Sequence, residues 1–270
     1  MNAIFELFQY EFFLKAFIAA IFASISCGVI GSYIVSRRIV FISGGITHAS
    51  FGGIGLAFFL GFNPILGAVV FAIFSALGIQ FFTKVAEIRE DSSIAIWWSL
   101  GMALGIIFVS LTPGYTPNLM SYLFGNILTV SILELWLMFA LNLVIIAFFV
   151  IFFSKILYIA FDEEFAKTAG LPVDFFNYLI MSLIALTVVL NIRVVGIILI
   201  LSLLTVPQAT ANLFTNNFKK LLILSSVFAF AGTVSGLFIS YFLDIPSGAA
   251  IIFTLILIFG ILRLTKVFIQ

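Results

Sequence analysis

Residues 131–153 read SILELWLMFALNLVIIAFFVIFF, with a single ionisable side chain, Glu134. A helix that crosses the hydrocarbon core of a bilayer needs about 20 consecutive, mostly apolar residues. An uninterrupted apolar run of this length reads as a membrane span. Comparable runs at 16–36, 39–60, 64–82, 93–111, 175–191, 195–213, 221–243 and 246–262 bring the expected total to nine. The breaks between them carry turn signals: Gly61-Phe62-Asn63-Pro64, Thr112-Pro113-Gly114 and Asp244-Ile245-Pro246. The glycine-rich 39–60 run, or a neighbour, is where a re-entrant segment would reduce nine crossings to eight. The expected fold is an all-α polytopic membrane bundle of about 8–9 helices, one transmembrane domain over residues 1–270.

Composition agrees. The chain is 64% hydrophobic and 9% charged, with a mean hydropathy of +1.33. Soluble domains carry about 45–50% apolar and about 25% charged residues. Twelve Lys+Arg against eleven Asp+Glu leave a formal charge of +1, which excludes nucleic-acid binding through a basic surface and an acidic disordered chain. A single cysteine, Cys27, excludes an internal disulfide and a Cys-based zinc site. A single histidine, His48, excludes a His-rich metal cluster. The N-terminus carries Glu6 and Glu11 and no cation before Lys15. That is the wrong polarity for a cleaved signal peptide, and a short amphipathic lead-in to the first span is expected instead.

The basic residues set an orientation. With nine alternating spans, Arg37, Arg38, Lys84, Arg89, Lys155, Lys167, Lys219, Lys220, Arg263 and Lys266 fall on one side, and Lys15 and Arg193 on the other. The positive-inside rule makes the first side cytoplasmic, with the N-terminus outside and the C-terminus inside.

Enzyme signatures are missing. There is no GxxxxGK[ST], so ATP is not bound through a P-loop of this chain, and there is no HExxH or GxSxG. The acids Glu134 and Asp244 are too far apart in sequence to suggest a paired carboxylate. The expected role is transport, or assembly within a transport complex, and not catalysis.

Four segments carry more specific information. In the first, Ser43 to Gly55, Gly44, Gly45, Gly52 and Gly53 offer a small surface for close helix packing. Thr47, His48 and Ser50 sit among them. An ionisable residue within a span is a functional candidate, and neutral imidazole is a common ligand for transition metals. A histidine hydrogen-bonded to a neighbouring helix is the equal alternative. In the second, the loop 155–173, Asp162 is placed to cap a short helix with Glu163 and Glu164 in its first turn, Ala166 within it and Gly170 as its stop. Such a helix is a docking piece for a soluble partner, or else a solvated acidic loop. In the third, 194–211, Pro207 removes a backbone hydrogen bond inside a span and frees a carbonyl, tolerated where protein resatisfies it. The fourth, 115–130, contains Tyr122 and Asn126 and is apolar enough for a short outer or re-entrant helix.

At these segments the chain resembles the permease subunit of metal-ion ABC transporters, the zinc, manganese and iron uptake systems. The family's early motif, Gly-Asp-Ala-Leu-Ser-His, is similar to Ser43-Gly44-Gly45-Ile46-Thr47-His48. Its Ser-Tyr-Leu-Phe-Gly matches Ser121 to Gly125. Val-Val-Gly-x-x-Leu matches Val194 to Leu199, and Pro-Ala-Ala-Thr-Ala resembles Pro207 to Ala211, with Gln208 in place of an alanine. A late Pro-x-Gly-Ala matches Pro246 to Ala249. The order and spacing agree across nearly the whole chain.

The resemblance implies a homodimer in the lipid membrane, a separate ATP-binding subunit docked on Asp162–Gly170, and an extracytoplasmic solute-binding protein that delivers the ion near Tyr122, Asn126 and Asp244. It implies no tightly bound cofactor, only a transported divalent ion (Zn, Mn or Fe), and no nucleic acid. In the family, an Asp and the His of the early motif are the proposed metal contacts. His48 carries over, but the Asp position is Gly44, so Thr47, Ser50, a carbonyl or the His48 of a second copy is left to complete the contact. Transport of a metal chelate, or a stand-alone secondary carrier, are the alternatives.

Overall fold

In the computed structural model, residues 7–113 and 126–269 are described. All regular structure there is helical. The helices are α1 (Glu11–Ser36), α2 (Phe41–Leu60), α3 (Pro64–Lys84), α4 (Glu90–Leu111), α5 (Ile132–Ile151), α6 (Phe153–Phe161), α7 (Glu163–Thr168), α8 (Val173–Val195), α9 (Ile197–Leu203), α10 (Val206–Ala211), α11 (Phe218–Leu243) and α12 (Ser247–Ile269). Eight of them, α1–α5, α8, α11 and α12, are long and apolar enough to cross a membrane. The expected outer helix at 115–125, with Tyr122, lies outside the described residues. Helix α1 starts at Glu11, earlier than the expected 16, and Glu11 and Lys15 pair at 2.6 Å across its first turn.

The chain divides into two compact units, residues 1–38, 123–151 and 191–270 in one and 39–122 and 152–190 in the other. In the first unit α1 and α11 lie antiparallel. The Phe13 and Phe238 rings meet at 5.5 Å at one end, and Ser32 Oγ donates to Ser225 Oγ at 3.1 Å towards the other. Met138, Leu141, Asn142, Ile145 and Phe149 form the buried stripe of α5, with the spacing of one helical face. Asn142 Nδ2 fastens that face to the Phe22 carbonyl of α1 at 3.1 Å. The outer face of α5 exposes Leu133, Trp136, Leu143, Val144 and Val150, as a lipid-facing helix does.

The expected span at 195–213 is not one helix. Gly196 has φ 80° and ψ 165° between α8 and α9, and Thr205 separates α9 from α10 with φ −131° and ψ −51°. The broken pair nevertheless runs the length of the first unit. Val195, Ile198 and Leu199 line a cavity with Asp244, from the turn between α11 and α12. Further on, Gln208 bonds the Cys27 carbonyl of α1, and the Lys266 ammonium, late in α12, donates to the Leu213 carbonyl. Arg37, Arg38, Lys219, Lys220 and Lys266 therefore gather at one end of this unit and Asp244 lies at the other. The irregular backbone falls here and not in the glycine-rich 39–60 run, which is the continuous helix α2.

In the second unit α2 is packed against α3 and α4 through glycines. A Cβ at Gly53 would overlap the Gly67 carbonyl of α3, and one at Gly55 would lie 2.5 Å from the Gly105 carbonyl of α4. At Gly52 a Cβ would meet the Phe71 ring at 2.8 Å and the Gly101 carbonyl at 3.1 Å. Small residues let the backbones approach to dispersion contact, which replaces the hydrophobic effect as the adhesive between helices in lipid.

Candidate translocation path and docking helix

The polar run of α2 is held by its own helix. Thr47 Oγ1 donates to the Ser43 carbonyl and Ser50 Oγ to the Thr47 carbonyl, each at 2.6 Å, and both residues are buried. Their protons are committed, so the hydroxyl oxygens remain only as acceptors or oxygen ligands. His48 is half-buried. Its ring stacks on Trp98 of α4, with centroids 4.3 Å apart and planes 6° apart, and its Nδ1 is buried with no hydrogen-bond partner among the described residues. An aromatic stack orients the ring. Gly44 and Gly45 are buried on the same helix, and a Cβ at Gly45 would run into Ile94 of α4. Among the described residues no three His, Cys, Asp or Glu stand together as a metal-holding group.

The short helix α7 is closed at both ends. Asp162 Oδ1 accepts from the Phe165 amide at 2.9 Å. At the C-terminus Gly170 has φ 77°, its N–H donates to the Lys167 carbonyl at 3.0 Å, and the Leu171 N–H donates to the Ala166 carbonyl at 3.1 Å. These two bonds and the left-handed glycine are the Schellman closure, in which a side chain at C′ would be strained. Ala166 is fully buried under the helix, whereas Glu164 and Phe165 are exposed. Glu163 is paired with Lys84, from the last turn of α3, and with Lys167 at 3.3 Å. Tyr158, Phe161, Phe165 and Phe175 form exposed aromatic surface on and beside this helix.

A cavity of about 660 Å³ opens in the first unit, lined by Asn126, Ser240, Asp244, Ser247 and the apolar Val195, Ile198 and Leu199 among others. Asn126 and Asp244, far apart in sequence, are thus brought together. The Asn126 side chain accepts from the Leu128 amide at 3.0 Å, and Asp244 ends α11 in the left-handed conformation, φ 51° and ψ 46°.

Pro207 stands where the ladder between α9 and α10 is interrupted, and side chains fill the gap. The Thr205 N–H turns to the Ser202 carbonyl at 3.2 Å while Thr205 Oγ1 donates to the Leu201 carbonyl at 2.8 Å. Pro207 has no N–H for the Leu203 carbonyl, four residues earlier. Gln208 Nε2 supplies it at 3.2 Å and reaches the Cys27 carbonyl at 2.8 Å.

Trp98, Lys84 and Gln208 carry these arrangements and are not singled out by the sequence. Only Gln208 left a trace there, as a long polar amide directly after a mid-span proline.

The model of the ABC 3 transport family matches residues 9–266. An uncharacterized membrane protein of Synechocystis sp., slr2045, is 40% identical over 252 residues, covering 93% of this chain and 90% of that protein. The manganese transport system membrane protein MntC of Listeria monocytogenes is 36% identical over 255 residues, 94% of this chain and 91% of its own. The solved structure of PsaBC from Streptococcus pneumoniae in complex with Fab superposes with a TM-score of 0.84 at 36% identity, covering 97% of this chain and 95% of that one. With a family match over nearly its full length and eight apolar helices long enough to span, this multi-pass membrane chain belongs to the ABC 3 transport family.

Proposed function

We propose that the chain is the permease subunit of an ATP-driven importer that carries a divalent transition-metal ion, with manganese as the favoured cargo over zinc and iron. The observation that carries this reading is the likeness, over more than nine-tenths of both chains, to a relative named for manganese transport. The permease works as a homodimer in the cytoplasmic membrane, with its basic ends inside, its N-terminus outside and its C-terminus in the cytoplasm. A solute-binding protein delivers the ion at the outer mouth, at Asn126 and Asp244. A separate ATPase subunit grips α7, whose exposed aromatic surface and capped ends suit it to dock a soluble partner and to move as one piece. The loop 155–173 is the coupling element and 1–270 one permease domain.

In the path, His48 offers a nitrogen to the passing ion. Its free Nδ1 and its flat stack on Trp98 support that role. With glycine at 44 no carboxylate stands beside it on α2, so the contact is completed by Thr47 or Ser50 oxygens, a carbonyl or the His48 of a second copy. Few ligands suit a conduit, since tight four-ligand binding would trap the cargo. The deciding experiment isolates the solubilised chain from its native membrane and identifies what accompanies it, then measures uptake of radioactive manganese, zinc and iron. A stoichiometric P-loop ATPase and saturable manganese uptake, lost in His48→Ala with ATPase association intact, are expected. A clean homomer without an ATPase refutes the ATP-driven reading, and unchanged uptake in His48→Ala removes His48 from the path.

A further inference from the structure

The half-helix α9 has a joint at each end. Gly196 occupies φ 80° and ψ 165°, a region that essentially only glycine adopts. At the other end, Thr205 and Pro207 interrupt the helical ladder. Between the joints α9 presents Ile198 and Leu199 to the 660 Å³ cavity, with Ile198 53% exposed. Beyond the second joint α10 is fixed against α1. Gln208 is fully buried, and a Cβ at position 31 of α1 would collide with its side-chain amide, so Gly31 makes the room it fills.

The amide's orientation is determined. Nε2 donates to two carbonyls, Leu203 on α9 and Cys27 on α1, while Oε1 has no partner among the described residues. Turning the amide over would set its oxygen against both carbonyl oxygens. One NH₂ group therefore ties the free end of α9 to α1. Within a bilayer no water stands ready to take over the Leu203 carbonyl, so α9 cannot swing without breaking this tie.

We propose that α9 is a hinged gate on the cavity and that Gln208 is its latch, a positioning residue and not a ligand of any cargo. This goes beyond the transport reading and does not need it, since the geometry is the same whatever passes.

The test is hydrogen–deuterium exchange on the full chain in lipid nanodiscs, without cargo or ATPase. Gln208→Met keeps the side-chain length and removes both donors. Exchange at residues 199–204 should rise about tenfold, the order expected for losing a pair of hydrogen bonds of ordinary net strength, with α11 unchanged. Adding Pro207→Ala restores an N–H for the Leu203 carbonyl but not the bond to Cys27, and should return only part of the protection. Unchanged exchange over 199–204, an equal rise in α11, or full return of protection in the double variant would each overturn the latch. Should Gln208→Met not accumulate, Thr205→Val removes the neighbouring donor to the Leu201 carbonyl. It should loosen the same residues, and unaltered exchange there counts against the hinge.

Discussion

The imidazole of His48 lies flat against the indole of Trp98, 4.3 Å between centroids and 6° between planes. Stacked aromatic pairs contribute about 0.5–1.5 kcal/mol beyond the area they bury. If His48 meets the cargo, that stack fixes the ring's plane and so the direction of its nitrogens. Trp98→Leu should lower uptake by about two- to tenfold at unchanged expression, while Trp98→Phe, which retains a stacking face, recovers most of it. Uptake by the purified, reconstituted transporter checks this, and equal uptake in all three chains would separate the stack from transport.

At Gly53 any side chain meets the Gly67 backbone of α3, which cannot step aside. Gly53→Val should cost at least the 1–3 kcal/mol usual for overpacking. It should lower the thermal midpoint in detergent markedly, or prevent accumulation. Gly260→Ala on α12, where a Cβ meets nothing within 4 Å, is the open-space control and should hold or raise the midpoint.

Glu163 is the shared partner of Lys84 and Lys167 and is mostly covered, with 16% of its side chain exposed. It positions α7 against the end of α3. If α7 docks the ATPase subunit, Lys84→Glu alone should displace α7 and weaken that capture. The exchanged pair Lys84→Glu with Glu163→Lys should recover part of the loss. A double-mutant cycle should give a coupling of about 1 kcal/mol, the upper part of the range for a partly exposed pair, and additive effects would remove the pair from docking.

Asp244 holds a left-handed conformation that costs an ordinary L-residue about 1–2 kcal/mol and that Asp and Asn tolerate best. Asp244→Asn should keep the midpoint within about 0.5 kcal/mol of the starting protein, and Asp244→Gly should match or exceed it. If the carboxylate serves the mouth, both should lose uptake to a similar degree at low ion concentration. Melting and uptake on the same preparations separate the backbone role of this residue from its charge.

Much of this architecture is written locally in the chain. The apolar runs dictate the long helices because a bilayer permits little else. The α7 closure is equally local, since Asp162, Gly170 and the four-residue reach of a helical hydrogen bond are all read from one short segment. Pro207 likewise announces a freed carbonyl. What a sequence does not contain is which donor answers it. Gln208 reaches Leu203 from its own segment, but its second bond, to Cys27, and the room left by Gly31 exist only once two distant helices are packed. The Lys84–Glu163 pair and the His48–Trp98 stack have the same origin. The break near Pro207 in the 195–213 span is legible from the proline, but hydropathy is blind to backbone conformation, and the Gly196 dihedral that parts α9 from α8 is not announced.

Cys27 is the chain's single cysteine, and it is wholly buried. The native protein is thus close to silent towards water-soluble thiol reagents. Single reporter cysteines, for spin labels or fluorophores at α7 or at the cavity rim, can be placed in the wild-type background. The helix packing around α1 need not be disturbed to make the chain suitable for spectroscopy.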